Sequence, residues 1–586
     1  MVISRDQQAD EQEPGARVSR PDSSGSNLCA FEFQVTFHEC YPYHDVSGNA
    51  TRNPHQNNSL QSNLGRMMRR IFLLAACLLA GCSSKVTEPQ LKAASLSSSQ
   101  SDSDHESPLG TNISEPSYWS TQLPFIDLFK YSKPWVSGDA TTWDNGNPIA
   151  TDADGWVTAI APGQIVRTQM LADFLNPPTG RYVMTWDGTG TFSLSGGCNE
   201  SPGETTSNRM VLLVTGTILI YFTDTDPSDY IRNIRITQEA HETLSGTWDP
   251  WFLDSLSDVS CLRFMDMCRT NQSTLTDWGD RTMVDDARYT STKGMPYELA
   301  VSMANDAMKD AWICVPHLAT DSFVTSLADM VRDNLHPSLK CYVEYSNEVW
   351  NSQFEQATHC EAMGIAAGIG SSPFQSRLLY YSRRSVEIFN LFTASLGSND
   401  RIIRVLATQA GNPWTAGQVL AFESAYLLCD ALAIAPYFGP HITNSNVLQF
   451  INMDSDDLLD YVEANSMSVS VSRMHANSGR AAMYGVPMIA YEGGQHIVGN
   501  VSSTYRAQIT DLINEANRNQ RMHGIYRKYL DSWRMSGGQL FVHYNNVSKF
   551  SQWGCWGASE WQGQPMSAAP KARALHEFKI DNLRWW

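Results

Sequence analysis

Positive charge is scarce in this chain. Against 61 Asp and Glu stand 42 Lys and Arg, a formal net charge of -19. Binding a phosphate backbone needs a basic stripe, so nucleic acid is excluded as a partner. Metal-ligand spacing is missing as well. The 12 cysteines form no Cys-x-x-Cys pair and no Cys/His pattern of a zinc site. Neither His-x-His nor a cluster of Asp and His closes any apolar run, which argues against a metal-dependent hydrolase; no metal and no cofactor is expected. The apolar run at residues 71–80 is too short for a spanning helix, which needs about 20 residues. Cys261, Cys314, Cys341 and Cys429 lie in apolar, strand-like runs and read as small buried thiols, with one bridge left open.

What the N-terminal part does contain is a targeting pattern. Met67-Met68-Arg69-Arg70 is a short basic start, the apolar run follows, and Leu79-Ala80-Gly81-Cys82 precedes Ser83-Ser84. This resembles the lipobox of bacterial lipoproteins. The resemblance implies an exported protein with lipid on Cys82, anchored to the bacterial, most naturally outer, membrane by that lipid alone. The alternative is an ordinary secretory signal with a chance Cys. A signal belongs at a chain start, so translation is expected to begin at Met67 or Met68, with residues 1–66 outside the native protein. Residues 83–118 are Ser-rich with few large apolar side chains and read as a flexible tether.

Residues 119–136 are read as the region of a first barrel strand, centred on 125–136. From 137 to 230, short apolar runs separated by Gly-rich turns imply a small β-sandwich, with a turn expected at Thr215-Gly216-Thr217. From 231 to 586 the texture changes. Buried, unalternating strands near 261–265, 311–315, 341–345, 401–406, 431–435, 487–491 and 539–544 are separated by helical patterns such as 321–335, 376–396, 456–478 and 504–535. That alternation means a parallel sheet. Seven strands plus the early one predict an α/β fold, a (β/α)8 TIM barrel with the sandwich inserted after its first strand.

Two strands deliver a Glu to their C-terminal ends, where barrel active sites lie. One runs through Val343-Glu344-Tyr345-Ser346 into Asn347-Glu348-Val349-Trp350; the other through Pro487-Met488-Ile489-Ala490-Tyr491 into Glu492-Gly493-Gly494. Glycosidic cleavage needs a proton donor for the leaving oxygen, which suits a carboxyl of raised pKa, and a neighbouring Asn can bond the sugar 2-OH. A carboxylate nucleophile must stay ionised, and Arg263, ending the second strand, offers the charge.

With Glu348 ending strand 4 and Glu492 ending strand 7, residues 231–565 resemble the large clan of retaining (β/α)8 glycoside hydrolases. In that clan the acid/base follows an Asn on strand 4 and the nucleophile ends strand 7. The resemblance implies Glu348 as acid/base and Glu492 as nucleophile. More narrowly, the pattern resembles bacterial exported proteins often labelled cellulose-binding, which implies a polysaccharide or oligosaccharide partner. Substrate contact is expected at Asn347, Arg263, His317, Trp350, Tyr437, Tyr544 and Trp556. Each has a plainer alternative: an ion pair for Arg263, a strand cap for His317, loop packing for Trp350, Trp553 and Trp556. Glu344, an even step before Glu348, shares one side of its strand, either supporting the site or lying in a second structural layer. The sequence departs from the clan at strand 8, where His543-Tyr544-Asn545-Asn546 stands in place of a strand-ending Trp. The expected activity is retaining cleavage of a β-linked polysaccharide by a monomer; the rival is a carbohydrate-binding lipoprotein without catalysis.

Overall fold

The computed structural model describes residues 106–174 and 176–586. Eight parallel strands close into a barrel in chain order. They are β1 (Leu109–Asn112), β2 (Cys261–Arg263), β3 (Asp310–Val315), β4 (Cys341–Tyr345), β5 (Ile402–Ala407), β6 (Ala431–Ile434), β7 (Met488–Ala490) and β8 (Gly538–His543). Closure runs through Leu109 opposite Phe541 and Thr111 opposite His543. Among the surrounding helices are α1 (Pro250–Asp254), α2 (Tyr297–Ala307), α3 (Asp321–Asn334), α4 (Glu355–Ala366), α5 (Pro373–Leu396), α6 (Pro413–Ala421), α7 (Met467–Met483), α8 (Ser503–Arg518), α9 (Arg521–Met535) and α10 (Pro570–Asp581).

Strand parity sorts the side chains. Cys261, Trp312, Cys314, Tyr342, Ala433 and Tyr491 form an inner cluster, while Leu262, Ile313, Val343 and Leu432 pack outward beneath the helices. The same parity turns Arg263 and Glu344 inward, two residues along from Cys261 and Tyr342. The helices follow their own period. In α3 the buried Phe323, Val324, Leu327, Ala328 and Val331 make one stripe, and the Thr320 hydroxyl caps the helix by accepting from Phe323 N at 3.2 Å. In α5, Ser372 caps, Pro373 opens the first turn, and Gly397 closes in the left-handed region at φ 76°.

The first barrel strand is not where sequence reasoning puts it. Residues 125–136 instead contribute a bridge from Phe125 to Trp248, a 3-10 turn at Leu128–Tyr131 and a strand, Val136–Gly138, that pairs with Ile165–Met170. The true β1 lies within the segment read as a tether. Leu109-Gly110-Thr111-Asn112 is weak strand sequence, and its order comes from pairing on both edges, with β2 and β8. Cys82 and the rest of the N-terminal targeting pattern lie outside the described residues.

Between β1 and β2 comes an antiparallel unit whose strands span 136–238. One strand, Arg209–Thr225, runs 17 residues. Along one edge it pairs with Gly190–Glu200. Along the other it pairs first with Gly180–Asp187 and then with Ile165–Met170. Six strands thereby make one continuous sheet, beside a small ribbon of Ala150–Thr151 and Val157–Ala159. The turn expected at Thr215-Gly216-Thr217 is absorbed into the long strand. Glycine there permits a close approach: a Cβ on Gly197 would stand 2.5 Å from Gly216 N. The eight cysteines among the described residues are all buried and unpaired.

Candidate active site

Arg263 is the hub. Fully buried at the end of β2, it spreads its donors over four side chains. Nε and Nη2 donate to Glu344 Oε2 at 3.1 and 2.9 Å. Nη2 also donates to Asn347 Oδ1 at 2.8 Å. Nη1 donates to Glu492 Oε1 at 2.9 Å and to Asn112 Oδ1 at 3.1 Å. The guanidinium lies between the rings of Trp312 and Tyr491, 5.5 and 5.1 Å from their centres. Glu344, inward and fully buried, takes further bonds on the same oxygen from Trp312 Nε1 at 2.9 Å and Cys314 Sγ at 3.3 Å. It anchors the back of the arginine, which leaves the front for Glu492.

Glu492 stands two residues past the end of β7. Its second oxygen accepts from the Tyr437 hydroxyl at 2.9 Å. Glu348 follows β4 through a tight turn in which both Ser346 and Glu348 hold the left-handed backbone, at φ 59° and 43°. Such strain in non-glycine residues is kept where the surroundings fix it. Asn351 N donates to Glu348 O at 2.8 Å, and the Asn351 amide to Glu348 Oε2 at 2.9 Å. The other carboxyl oxygen accepts from the Tyr491 hydroxyl at 3.1 Å.

The two carboxyls are 8% and 4% exposed for Glu348 and Glu492, and they feel one another. Burial raises both above the ordinary carboxylate range. For Glu492, Arg263 pulls back down while the neighbouring Glu348 and Asp266 push further up. Two buried carboxyls so coupled share a proton. The direct guanidinium contact falls on Glu492, whereas Glu348 is held by a neutral amide and a phenol. The guanidinium contact favours the negative charge on Glu492, against burial, which pushes that carboxyl up to about 8.

Asn347 is locked at both ends, accepting from Arg263 and donating through Nδ2 to Asn271 Oδ1 at 3.1 Å. The buried Gln356 amide braces this pair, donating to Asn271 Oδ1 at 2.6 Å and Asn347 O at 2.9 Å. Tyr437 packs 5.1 Å from the His496 ring. Burial pushes His496 down to about 3, so its bare Nδ1 accepts from the Trp556 indole at 3.1 Å. Tyr544 meets Trp556 edge-on at 6.0 Å, and its backbone N donates to Gly493 O at 3.0 Å.

The structure thus joins Arg263, Asn347, Glu348, Tyr437 and Glu492 in one network, with Tyr544 and Trp556 along the β7–β8 side. Trp350 is half-buried beside it. His317 stands apart from these bonds. Its ring meets His359 edge-on at 5.4 Å, and burial, with His359 adding, pushes it down to about 4. Its backbone carbonyl accepts from Tyr345 OH at 3.0 Å. Sequence reasoning missed Asn112, Tyr491, Asn351, Asn271 and Gln356. Inward parity would have found Tyr491; Asn112 was hidden in the apparent tether.

No family model and no curated protein matches this sequence. Similar chains do occur among solved structures. One is a 4-O-α-L-rhamnosyl-β-D-glucuronidase from Fusarium oxysporum, 12% identical, TM-score 0.33, covering 55% of this chain and 63% of its own. The match thus spans less than two thirds of that relative. A Bacteroidetes-affiliated GH5 cellulase is 12% identical, TM-score 0.35, covering 59% of this chain and 87% of its own. A broad-specificity endoglucanase from Clostridium acetobutylicum is 10% identical, TM-score 0.34, covering 57% and 92%. The assignment of fold here rests on the strand pairing itself, and that of the site on its own geometry.

Proposed function

We propose that the protein is a retaining glycoside hydrolase that cleaves a β-linked polysaccharide by double displacement. The observation that carries this is the asymmetric pair. One strand-ending Glu accepts from a buried guanidinium and a phenol, which suits the ionised nucleophile, and a second, coupled to it, accepts only from an amide and a phenol, which suits the proton donor. In the first step Glu492 attacks the anomeric carbon. The bond to the leaving oxygen breaks, and that oxygen takes the proton of Glu348. A glycosyl ester on Glu492 remains. In the second step Glu348, now ionised, takes a proton from water, whose oxygen displaces Glu492 from the sugar carbon. Both carboxyls return to their starting states. Arg263 and Tyr437 hold the departing carboxylate throughout, and the Asn347 amide, held by Arg263 and Asn271, bonds the sugar beside the reacting carbon.

The protein is further proposed to work outside the cytoplasm, tethered through lipid on Cys82; the Leu79-Ala80-Gly81-Cys82 pattern supports this. The catalytic reading is tested by incubating the purified protein with a panel of β-linked polysaccharides and detecting new reducing ends. Release by the wild type, abolished in Glu492→Ala, is the expected result. Glycan binding without cleavage, surviving substitution of both Glu residues, would replace the enzyme by a binding protein.

A further inference from the structure

Trp414 is a large apolar ring left 41% exposed on the catalytic face. It stands at the start of α6, just past the C-terminal end of β5, the same end of the barrel at which Glu348 leaves β4. Its ring is near-parallel to that of Phe374, at the start of α5, with centres 6.1 Å apart and planes at 22°. The two helix starts are tied by Gln375 Nε2 donating to Gln418 Oε1 at 2.6 Å.

The aromatic pair is also tied to the segment that carries Glu348. Arg377 of α5 lies 5.5 Å from the Phe374 ring. From there its Nη1 donates to Ser352 Oγ at 2.9 Å and to Trp350 O at 3.3 Å. Trp350 is two residues beyond Glu348. The shelf and the proton donor are thus held in one frame.

From this arrangement, and resting on the glycosidase reading, we infer that Trp414 and Phe374 form a stacking platform for the leaving-group side of the substrate, a sugar unit beyond the cleaved bond. The chemistry sets the direction. Glu348 protonates the leaving oxygen, so the departing portion lies on the Glu348 side of the site, where the shelf is. A pyranose presents C–H groups on its face, and a flat indole covers them without charge. A substrate that uses the shelf is a chain extending past the scissile bond on its leaving-group side.

The test compares the full-length wild type with Trp414→Ala and Phe374→Leu on β-linked oligosaccharides of increasing length and on a glycosyl fluoride, whose leaving group has no ring to stack. The ratio of kcat/KM for long chains to that for the glycosyl fluoride should fall about tenfold in Trp414→Ala, carried by KM. Transfer of the glycosyl group to an added oligosaccharide acceptor should fall relative to hydrolysis. In that transfer the acceptor oxygen displaces Glu492, and Glu348 takes the acceptor's proton. An unchanged ratio overturns the inference and leaves the glycosidase reading standing. An equal loss on both substrate types makes the pair a structural support, and a change only in oligomeric state on size-exclusion chromatography makes it a protein contact. A wild type that cleaves no glycoside removes both readings.

Discussion

A guanidinium without exposed surface costs several kcal/mol to desolvate, and at Arg263 that cost is offset by two carboxylates, two amide oxygens and two ring faces. The proposed mechanism puts the charge on Glu492 and the proton on Glu348, and pH tests that division. Burial raises Glu348, so it keeps its proton above the usual carboxylate range, and activity that needs this proton is lost as pH rises through its folded value. Glu348→Gln has no proton to lose there. The burst phase with an activated aryl glycoside should therefore keep its acid limb, set by ionisation of Glu492, and lose its alkaline limb. Stopped-flow rates across the pH range check this; an alkaline limb unchanged in the variant would assign it to another group. At this scale the sequence was informative for a definite reason. Inward parity along short parallel strands places Arg263 and Glu344, and a strand end places Glu348 and Glu492. Besides Arg263, the bonds to the two carboxyls come from Tyr437, Tyr491 and Asn351, on three segments that no local pattern connects.

Among the elements, β1 shows where local signals fail. Its four residues have little strand propensity and no apolar alternation, and they are ordered by two neighbours distant in sequence. Residues 125–136, richer in Phe, Ile and Leu, look like the better strand but serve the antiparallel unit. The seven later strands were legible because each is a continuous apolar run bounded by a helical pattern. The long Arg209–Thr225 strand was divided at Gly216 because glycine signals turns in sequence, while here it admits the facing Gly197. The β1 assignment predicts a specific sensitivity. A Cβ on Gly110 would stand 3.0 Å from Cys261 O and from Val542 Cγ2, so both flanking strands would have to give. Gly110→Val should lower stability by roughly 1–3 kcal/mol, read as a shifted urea midpoint with an unchanged slope. A midpoint equal to wild type would mean that the segment is not clamped between β2 and β8.

For the whole molecule, acidity and export belong together in one expectation. A chain of net charge -19 is suited neither to nucleic acid nor to an anionic lipid surface, so membrane association should depend on the lipid alone. In a bacterial host that processes lipoproteins, Cys82→Ser should move the protein from the membrane to the soluble fraction, followed by immunoblot of the two fractions. Membrane association that survives the substitution would place the anchor elsewhere.

The catalytic assignment itself is addressed most directly by trapping the covalent intermediate. A set of β-configured 2-deoxy-2-fluoro glycosides with good leaving groups slows the second step more than the first, because the fluorine destabilises both transition states while the leaving group compensates only one. Peptide mass spectrometry after reaction with the matching sugar should find the fluoroglycosyl mass on the peptide containing Glu492, with Glu348→Ala still labelled and Glu492→Ala unlabelled. Hydrolysis of natural substrate with inverted anomeric configuration, or a label carried by any residue other than Glu492, would contradict the account.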